Sequence, residues 1–369
     1  MESTIAASEL KFAANDGFQN EVKRRVDEYF QSTGKKPRDS AKMYVKTAFI
    51  MAWFLGSYVF LVFFAQNGWQ ALPAAILLGL SMAAIGFNVQ HDGGHRAYSE
   101  RPWINRLMAM SLDFLGGSSY VWARKHNIIH HTYSNITGHD DDINIGFFGR
   151  LTPHQKRWKF HRFQHFYLWI LYGLLPIKWQ LYDDFHDVIA GRVGSHRMPR
   201  PKGWDLVLFL GGKGIFFTLA FAVPLLLYSP GIVLLLYLLV SMVEGVALSM
   251  VFQLAHCVEE AAFPAAPATG RMETPWAVHQ VETTVDYGRN NRLLCWFVGG
   301  LNFQIEHHLF PQICHIHYPE LAKVVEKTCR EFGVRYVVQN TFRASVASHF
   351  RLLKRLGRQE FQAVPYPGR

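Results

Sequence analysis

Four stretches of this chain, 47–65, 69–90, 204–228 and 231–255, are each about as long and as apolar as a helix needs to be to cross a bilayer, which takes ~20 residues. In hydrocarbon no water satisfies the backbone, so a chain with such runs is committed to helices there. The first two runs carry no charge at all. Gln66-Asn67-Gly68 between them reads as a turn, and Ser229-Pro230-Gly231 breaks the second pair. The expected core is therefore two helical hairpins, with Lys213 near the entry end of the third run snorkelling to the interface. Half of the 369 residues are hydrophobic and 15% aromatic, which fits lipid better than water as the surrounding solvent.

The excess of 38 Lys and Arg over 28 Asp and Glu could serve nucleic acid, an anionic membrane surface or a phosphate-bearing substrate. Position decides. The turns after the first and third runs hold no Lys or Arg, so the positive-inside rule puts the N-terminal arm, the region 91–203 and the tail after His256 in the cytoplasm. That distribution favours a membrane surface or a phosphorylated substrate, with no nucleic acid. The expected organisation is an N-terminal arm (1–46), a membrane domain (47–255) with a cytoplasmic insertion (91–203), and a cytoplasmic cap (256–369). Both termini lie on the cytoplasmic side, and no secretory signal precedes the first run.

Shorter apolar stretches at 107–122, 166–177 and 293–303 are too short or too interrupted to span and read as interfacial or core helices. Phe18, Val22, Val26 and Phe30 form a helical stripe, as do Val346, Phe350, Leu353 and Leu356 among basic residues. Either stripe suits a helix lying on the membrane face; the first suits a packed helix equally well. The four cysteines show no CxxC spacing and read as reduced, buried small residues.

Eighteen histidines are present, and their grouping carries the chemistry. His91 and His95 stand four apart in HDGGH, directly after the second run. His126, His130 and His131 form HNIIHH, and His307 and His308 close QIEHH. Residues four apart share a helical face. All three groups fall on one side of the membrane. Imidazole ligates iron, zinc and copper, and seven grouped histidines exceed what one zinc ion takes, so two metal ions are implied. His256, at the end of the fourth run, mirrors His91, although a lone histidine at a helix end more often makes a hydrogen bond. The Glu-x-x-His pairs of soluble di-iron bundles do not occur, and a nitrogen-rich site suits an iron pair activating dioxygen.

The order HDGGH, HNIIHH, QIEHH, with these apolar runs between, resembles the membrane fatty acid desaturases over about 43–357, and Gln304 heading the third box resembles their front-end subgroup of linoleoyl, Δ6 type. The resemblance implies an all-α integral membrane fold of four transmembrane helices in two hairpins, capped by a cytoplasmic helical layer with a histidine-rich di-iron site. It implies iron ligation by His91, His95, His126, His130, His131, His307 and His308, with His256 where the family places a further ligand. Gln304 would ligate weakly, orient a water or hydrogen-bond to a ligand. Asp92 and the Asp140 to Asp142 run, notably Asp140 and Asp142, would orient imidazoles or, equally, form a solvated acidic loop.

The activity that the resemblance implies is the O2-dependent insertion of a cis double bond toward the carboxyl end of an unsaturated acyl-CoA or acyl-lipid. Unactivated C–H bonds lie beyond side-chain acid/base chemistry, so two iron ions must supply the oxidising power. The HPGG motif of a fused cytochrome b5 does not occur, so the two electrons are expected from a separate ferredoxin or cytochrome b5. A membrane di-iron hydroxylase would use similar boxes but return oxygen to the substrate. A histidine-rich metal transporter would place its ionisable groups at the bilayer midplane between broken helices, whereas these clusters flank the runs. Glu244, inside the fourth run, reads as a protonated structural carboxyl. His315 and His317 read as ordinary core or surface histidines rather than substrate contacts.

Overall fold

The structure is a computed structural model that describes residues 10–15 and 17–358. The chain is mostly helical. Among the described residues, four helices are long and apolar enough to cross a membrane: Ala41–Phe64, Gly68–Gly94, Trp204–Leu225 and Pro230–His256. The Asn67 side chain caps the second by accepting from Gln70 N at 3.1 Å, and Pro230 opens the fourth where its missing N–H costs nothing.

The second span is the central one. It packs against the first and the fourth, and 67% of its apolar window is buried against 22–28% in the others. A glycine lets it come close: a Cβ on Gly79 would stand 2.7 Å from the Val240 carbonyl oxygen of the fourth span. The outward faces of the other spans expose Phe49, Leu55, Phe63, Leu210, Leu226 and Leu235, apolar surface of the kind lipid covers.

Two boundaries differ from the sequence reading. The first span begins at Ala41 and so includes Lys46, which is buried because its Nζ donates to His315 Nε2 at 3.0 Å. The second continues through a π-helical turn (Gly86–Gln90) to Gly94, so the first histidine box grows out of the span itself. Lys213 does not snorkel. It is 3% exposed, and its Nζ donates to Asp184 Oδ2 at 2.8 Å and to the Gly116 carbonyl at 2.6 Å. A carboxylate within reach removed the need to find water.

None of the three shorter apolar stretches becomes a candidate span; they fold as the short helices Pro102–Ala109, Ser111–Phe114 and Ser119–Trp122, then Gln164–Gly173 and Leu175–Lys178, then Arg292–Phe297. The fold is not purely helical either. Lys11–Ala13 pairs parallel with Arg271–Pro275, Asp286–Tyr287 pairs parallel with Val338–Gln339, and Arg192–Val193 pairs antiparallel with His196–Arg197. These clips are too short to announce themselves in sequence.

The N-terminal helix Phe18–Thr33 turns its stripe inward: Phe18 and Val22 meet Val325 and Cys329, while Val26 and Phe30 meet Leu321 and Ala322. The C-terminal helix Phe342–Arg358 also packs as a protein helix. Leu352, Leu353 and Leu356 are fully buried with Ile143, Leu151 and Leu168, and Arg351 and Arg355 reach Glu259. Of the four free cysteines, Cys257, Cys314 and Cys329 are buried.

Candidate metal centre

The second box lies on a segment whose central part, Ala123–His130, is π-helical, closed by i→i+5 hydrogen bonds. In an α-helix a residue five positions on is rotated by roughly 140°, on the far side of the helix. The wider winding swings His131 back over His126 while keeping His130 close, so all three rings converge. Their centroids lie 5.0 Å apart for His126–His130 and 5.0 Å for His126–His131. Spacing alone pairs only residues four apart.

The end of the second span delivers His91 and His95, and the short helix Gln304–Leu309 delivers His307 and His308. Ring centroids are 4.4 Å apart for His91–His307, 4.6 Å for His95–His131 and 4.3 Å for His131–His308. Two ligand sets emerge, in each of which the candidate atoms lie within 4.8 Å of one another. One comprises His91, His95, His126 and His307; the other comprises His130, His256 and His308. His131 stands between them, grouped with His307 and His308. His256, the last residue of the fourth span, thus joins the cluster, 4.6 Å from His130 ring to ring.

Four of the rings are aimed from behind. His130 Nδ1 donates to Asp140 Oδ2 at 3.0 Å and His126 Nδ1 to Asp142 Oδ2 at 3.1 Å. His308 Nδ1 donates to Gln280 Oε1 at 2.7 Å, and His307 Nδ1 lies 3.2 Å from Tyr318 Oη. The opposite nitrogens remain: among the described residues, Nε2 of His95, His126, His130, His131, His307 and His308 is buried without a hydrogen-bond partner. Six orphaned acceptors in one place are costly unless a cation meets them. This donor set therefore fits two metal ions of the kind that imidazole ligates.

Burial, then the repulsion of neighbouring imidazoles, holds His95, His131, His307 and His308 well below the usual 6.5. Their resting form is neutral, the form that ligates. Burial works to raise the Asp142 carboxyl, but the His126 bond and the Lys125 charge together hold it low.

Gln304 Nε2 stands 3.1 Å from His256 Nε2, beside the second ligand set. Asp92 turns away from the boxes and accepts from His315 Nδ1 at 2.9 Å, which makes His315 the middle of a buried Lys46–His315–Asp92 chain. His317 is also buried, its ring 5.1 Å from that of Phe30. Asp141 pairs with Lys125 at 3.2 Å. Glu306 of the third box faces Tyr336 and not the imidazoles. Gln280 and Tyr318 carry no signal in the sequence, since neither lies in a histidine box and only the fold brings them to His308 and His307.

A family model described as fatty acid desaturase matches residues 67–340. The chain is 39% identical over 355 residues to the sn-1 linoleoyl-lipid 6-desaturase of Arthrospira platensis, covering 96% of each chain. It is 39% identical over 356 residues to the enzyme of that name from Synechocystis sp. (strain ATCC 27184 / PCC 6803 / Kazusa), covering 96% of this chain and 99% of that one. With the acyl-lipid (8-3)-desaturase of Physcomitrium patens it shares 36% over 361 residues, 97% of this chain and 75% of the other.

Proposed function

The chain belongs to the fatty acid desaturase family and is a fatty acyl desaturase, and on that premise we propose that it inserts a cis double bond toward the carboxyl end of an unsaturated acyl chain, linoleoyl in type, carried on a lipid. The observation that carries the reading is the convergence of eight imidazoles with six bare Nε2 atoms between them. In this reading one iron is held by His91, His95, His126 and His307 and the other by His130, His256 and His308, with His131 between. When bound, that pair would supply the oxidising power, drawn from O2, two electrons and two protons, that removes two hydrogens from adjacent methylenes and leaves an olefin and two water molecules.

The protein's own groups do the rest. Asp140, Asp142 and Gln280 accept from the Nδ1 side of three rings, which fixes their tautomer and points Nε2 inward, and Tyr318 Oη holds the Nδ1 side of His307. Burial and the neighbouring imidazoles keep His95, His131, His307 and His308 neutral, whereas the Asp140 charge raises His130 against its burial. His91, His130, His131, His256, His307 and His308 are all nearly closed to solvent, so water is kept from the reacting bond. Gln304, beside His256, is placed to steady that ring or a bound water.

The membrane arrangement belongs to the same proposal: spans one and two, and three and four, as hairpins; the chain before 41, 95–203 and the chain after 256 on the cytoplasmic face; the metal site at the inner ends of spans two and four. What supports it is the absence of Lys and Arg from both opposite turns. Electrons would come from a separate ferredoxin or cytochrome b5, steered by the basic face.

Expression in a host with a defined fatty acid pool tests the reading. The expected result is a new double bond on the carboxyl side of an existing one, in the lipid fraction, that needs O2 and reductant. A hydroxylated product without loss of two hydrogens overturns it.

A further inference from the structure

A groove of about 540 Å³ runs between the fourth span at Met250 and the C-terminal helix Phe342–Arg358. Its floor is apolar, formed by Met250, Phe342, Val346 and Phe350, and its rim is basic, formed by Arg343 and Arg351. The fourth span has 27 residues and is therefore about 40 Å long, roughly 10 Å more than a ~30 Å hydrocarbon core. Met250 lies about 9 Å short of its His256 end, so the groove sits where hydrocarbon gives way to headgroups on the proposed cytoplasmic side. Phe166, 62% exposed and 5.8 Å ring to ring from Phe350, continues the apolar surface beside it.

The charge of the rim is unanswered. Between 341 and 358 the chain holds Arg343, Arg351, Lys354, Arg355 and Arg358 and no Asp or Glu. Glu259 serves two of them at once, 2.6 Å from Arg351 and 3.0 Å from Arg355. Arg343 is exposed, and among the described residues it has no hydrogen-bond or ion-pair partner. A guanidinium fork above an apolar floor matches an anionic group joined to a hydrocarbon tail. A soluble acidic carrier could meet the arginines but has nothing to lay against Met250 and Val346 below the headgroups, so the occupant that fits both parts is a lipid of the membrane. The same helix holds the chain just past a candidate ligand: His349 Nδ1 donates to the Cys257 carbonyl at 2.6 Å, its Nε2 accepts from Tyr172 Oη at 2.9 Å, and Glu259 N donates to Ser348 Oγ at 3.0 Å. Bracing this helix therefore braces His256, the residue before Cys257.

We propose that this groove binds an anionic phospholipid of the cytoplasmic leaflet, separate from the substrate, whose phosphate meets Arg343 and whose acyl chain lies along Met250, Val346 and Phe350, and that its binding steadies the His256 side of the metal centre. The binding site rests on the proposed membrane arrangement. Only its effect on iron rests on the desaturase reading.

The test uses the full chain, iron-loaded, in nanodiscs of dimyristoyl phosphatidylcholine doped with a photoactivatable phosphatidylglycerol or phosphatidylcholine that carries a diazirine in one acyl chain; saturated chains keep both probes from serving as substrate. The expected result is that the phosphatidylglycerol probe labels peptides containing Met250 and 342–351 and that the phosphatidylcholine probe labels them more weakly. Arg343→Gln should lower the phosphatidylglycerol label by about fivefold, the effect of one basic side chain at an anionic surface, with the thermal midpoint unchanged, while Arg343→Lys keeps most of it. Arg358→Gln, at the far end of the helix and outside the groove, should leave the label as it is. Phosphatidylglycerol should also slow the loss of iron to a chelator in the wild-type protein and not in Arg343→Gln. Equal labelling by the two probes, equal loss in Arg343→Gln and Arg358→Gln, or displacement of the lipid by an excess of acidic ferredoxin overturns the site, and iron loss indifferent to phosphatidylglycerol overturns its link to His256. A wild-type protein that labels as expected but forms no olefin would instead overturn the desaturase reading.

Discussion

At the scale of single residues, the imidazoles are held by partners that never touch the proposed metals. Asp140 is the most heavily used: it accepts from His130 Nδ1, from Asn135 N at 2.9 Å and from Asp142 N at 3.0 Å, and it is 2% exposed. Asp140→Asn keeps the shape but replaces an acceptor-only carboxylate with an amide. Iron affinity, measured by chelator competition, should fall about 10–100-fold, the usual cost of losing such a partner; unchanged affinity would show that the carboxylate is a bystander. The rings also set a pH response. The folded pKa values of His95, His131, His307 and His308 lie well below 6.5 and outnumber the upward shift that Asp140 gives His130, so below that pH the unfolded chain binds more protons than the native one. Stability of the iron-free protein should therefore be constant above about pH 7 and fall as the pH drops through 6.5. Thermal midpoints between pH 8 and pH 5 check the sign, and a rise toward acid would contradict it.

At the scale of elements, close approach decides what the helices can carry. The turn bearing His91 and His95 lies flat against the helix Pro102–Ala109, where a Cβ on Gly93 would stand 2.6 Å from the Ala109 backbone nitrogen. Backbone cannot step aside cheaply, so Gly93→Ala should cost about 1–3 kcal/mol and displace both imidazoles. Among the described residues, nothing lies within 4 Å of such a Cβ on Gly214, in the third span. Gly214→Ala is thus the control, neutral or slightly stabilising in a helix. Melting curves and iron content of the two variants separate the cases, and equal loss in both would mean that the contact at Gly93 is unimportant. The second box adds an element effect of its own, because the π-helical winding of Ala123–His130 presents His131 where an α-helix would hide it.

At the scale of the whole molecule, the topology makes a direct prediction. Single cysteines at Asn67→Cys and Ser229→Cys should react with a membrane-impermeant maleimide from one face, and those at Lys36→Cys and Asn144→Cys only from the other; any mixture of sides within a pair would break the proposed arrangement. The long apolar runs and the three histidine boxes were legible in the sequence because each depends on neighbours along the chain: twenty residues without charge, or imidazoles one turn apart. Lys46 and Lys213 were not legible, since their burial hangs on His315 and Asp184, distant in sequence. Nor were Gln280 and Tyr318, whose only mark is where they end up, against His308 and His307. By itself the sequence determined a lipid-spanning helical chain with clustered nitrogen ligands, because hydrocarbon forbids any other backbone for such runs and periodicity places side chains within one helix. Only the tertiary structure decided which atoms aim those ligands and where charge is tolerated inside, because hydrogen bonds between remote segments are formed by packing and leave no local periodic trace.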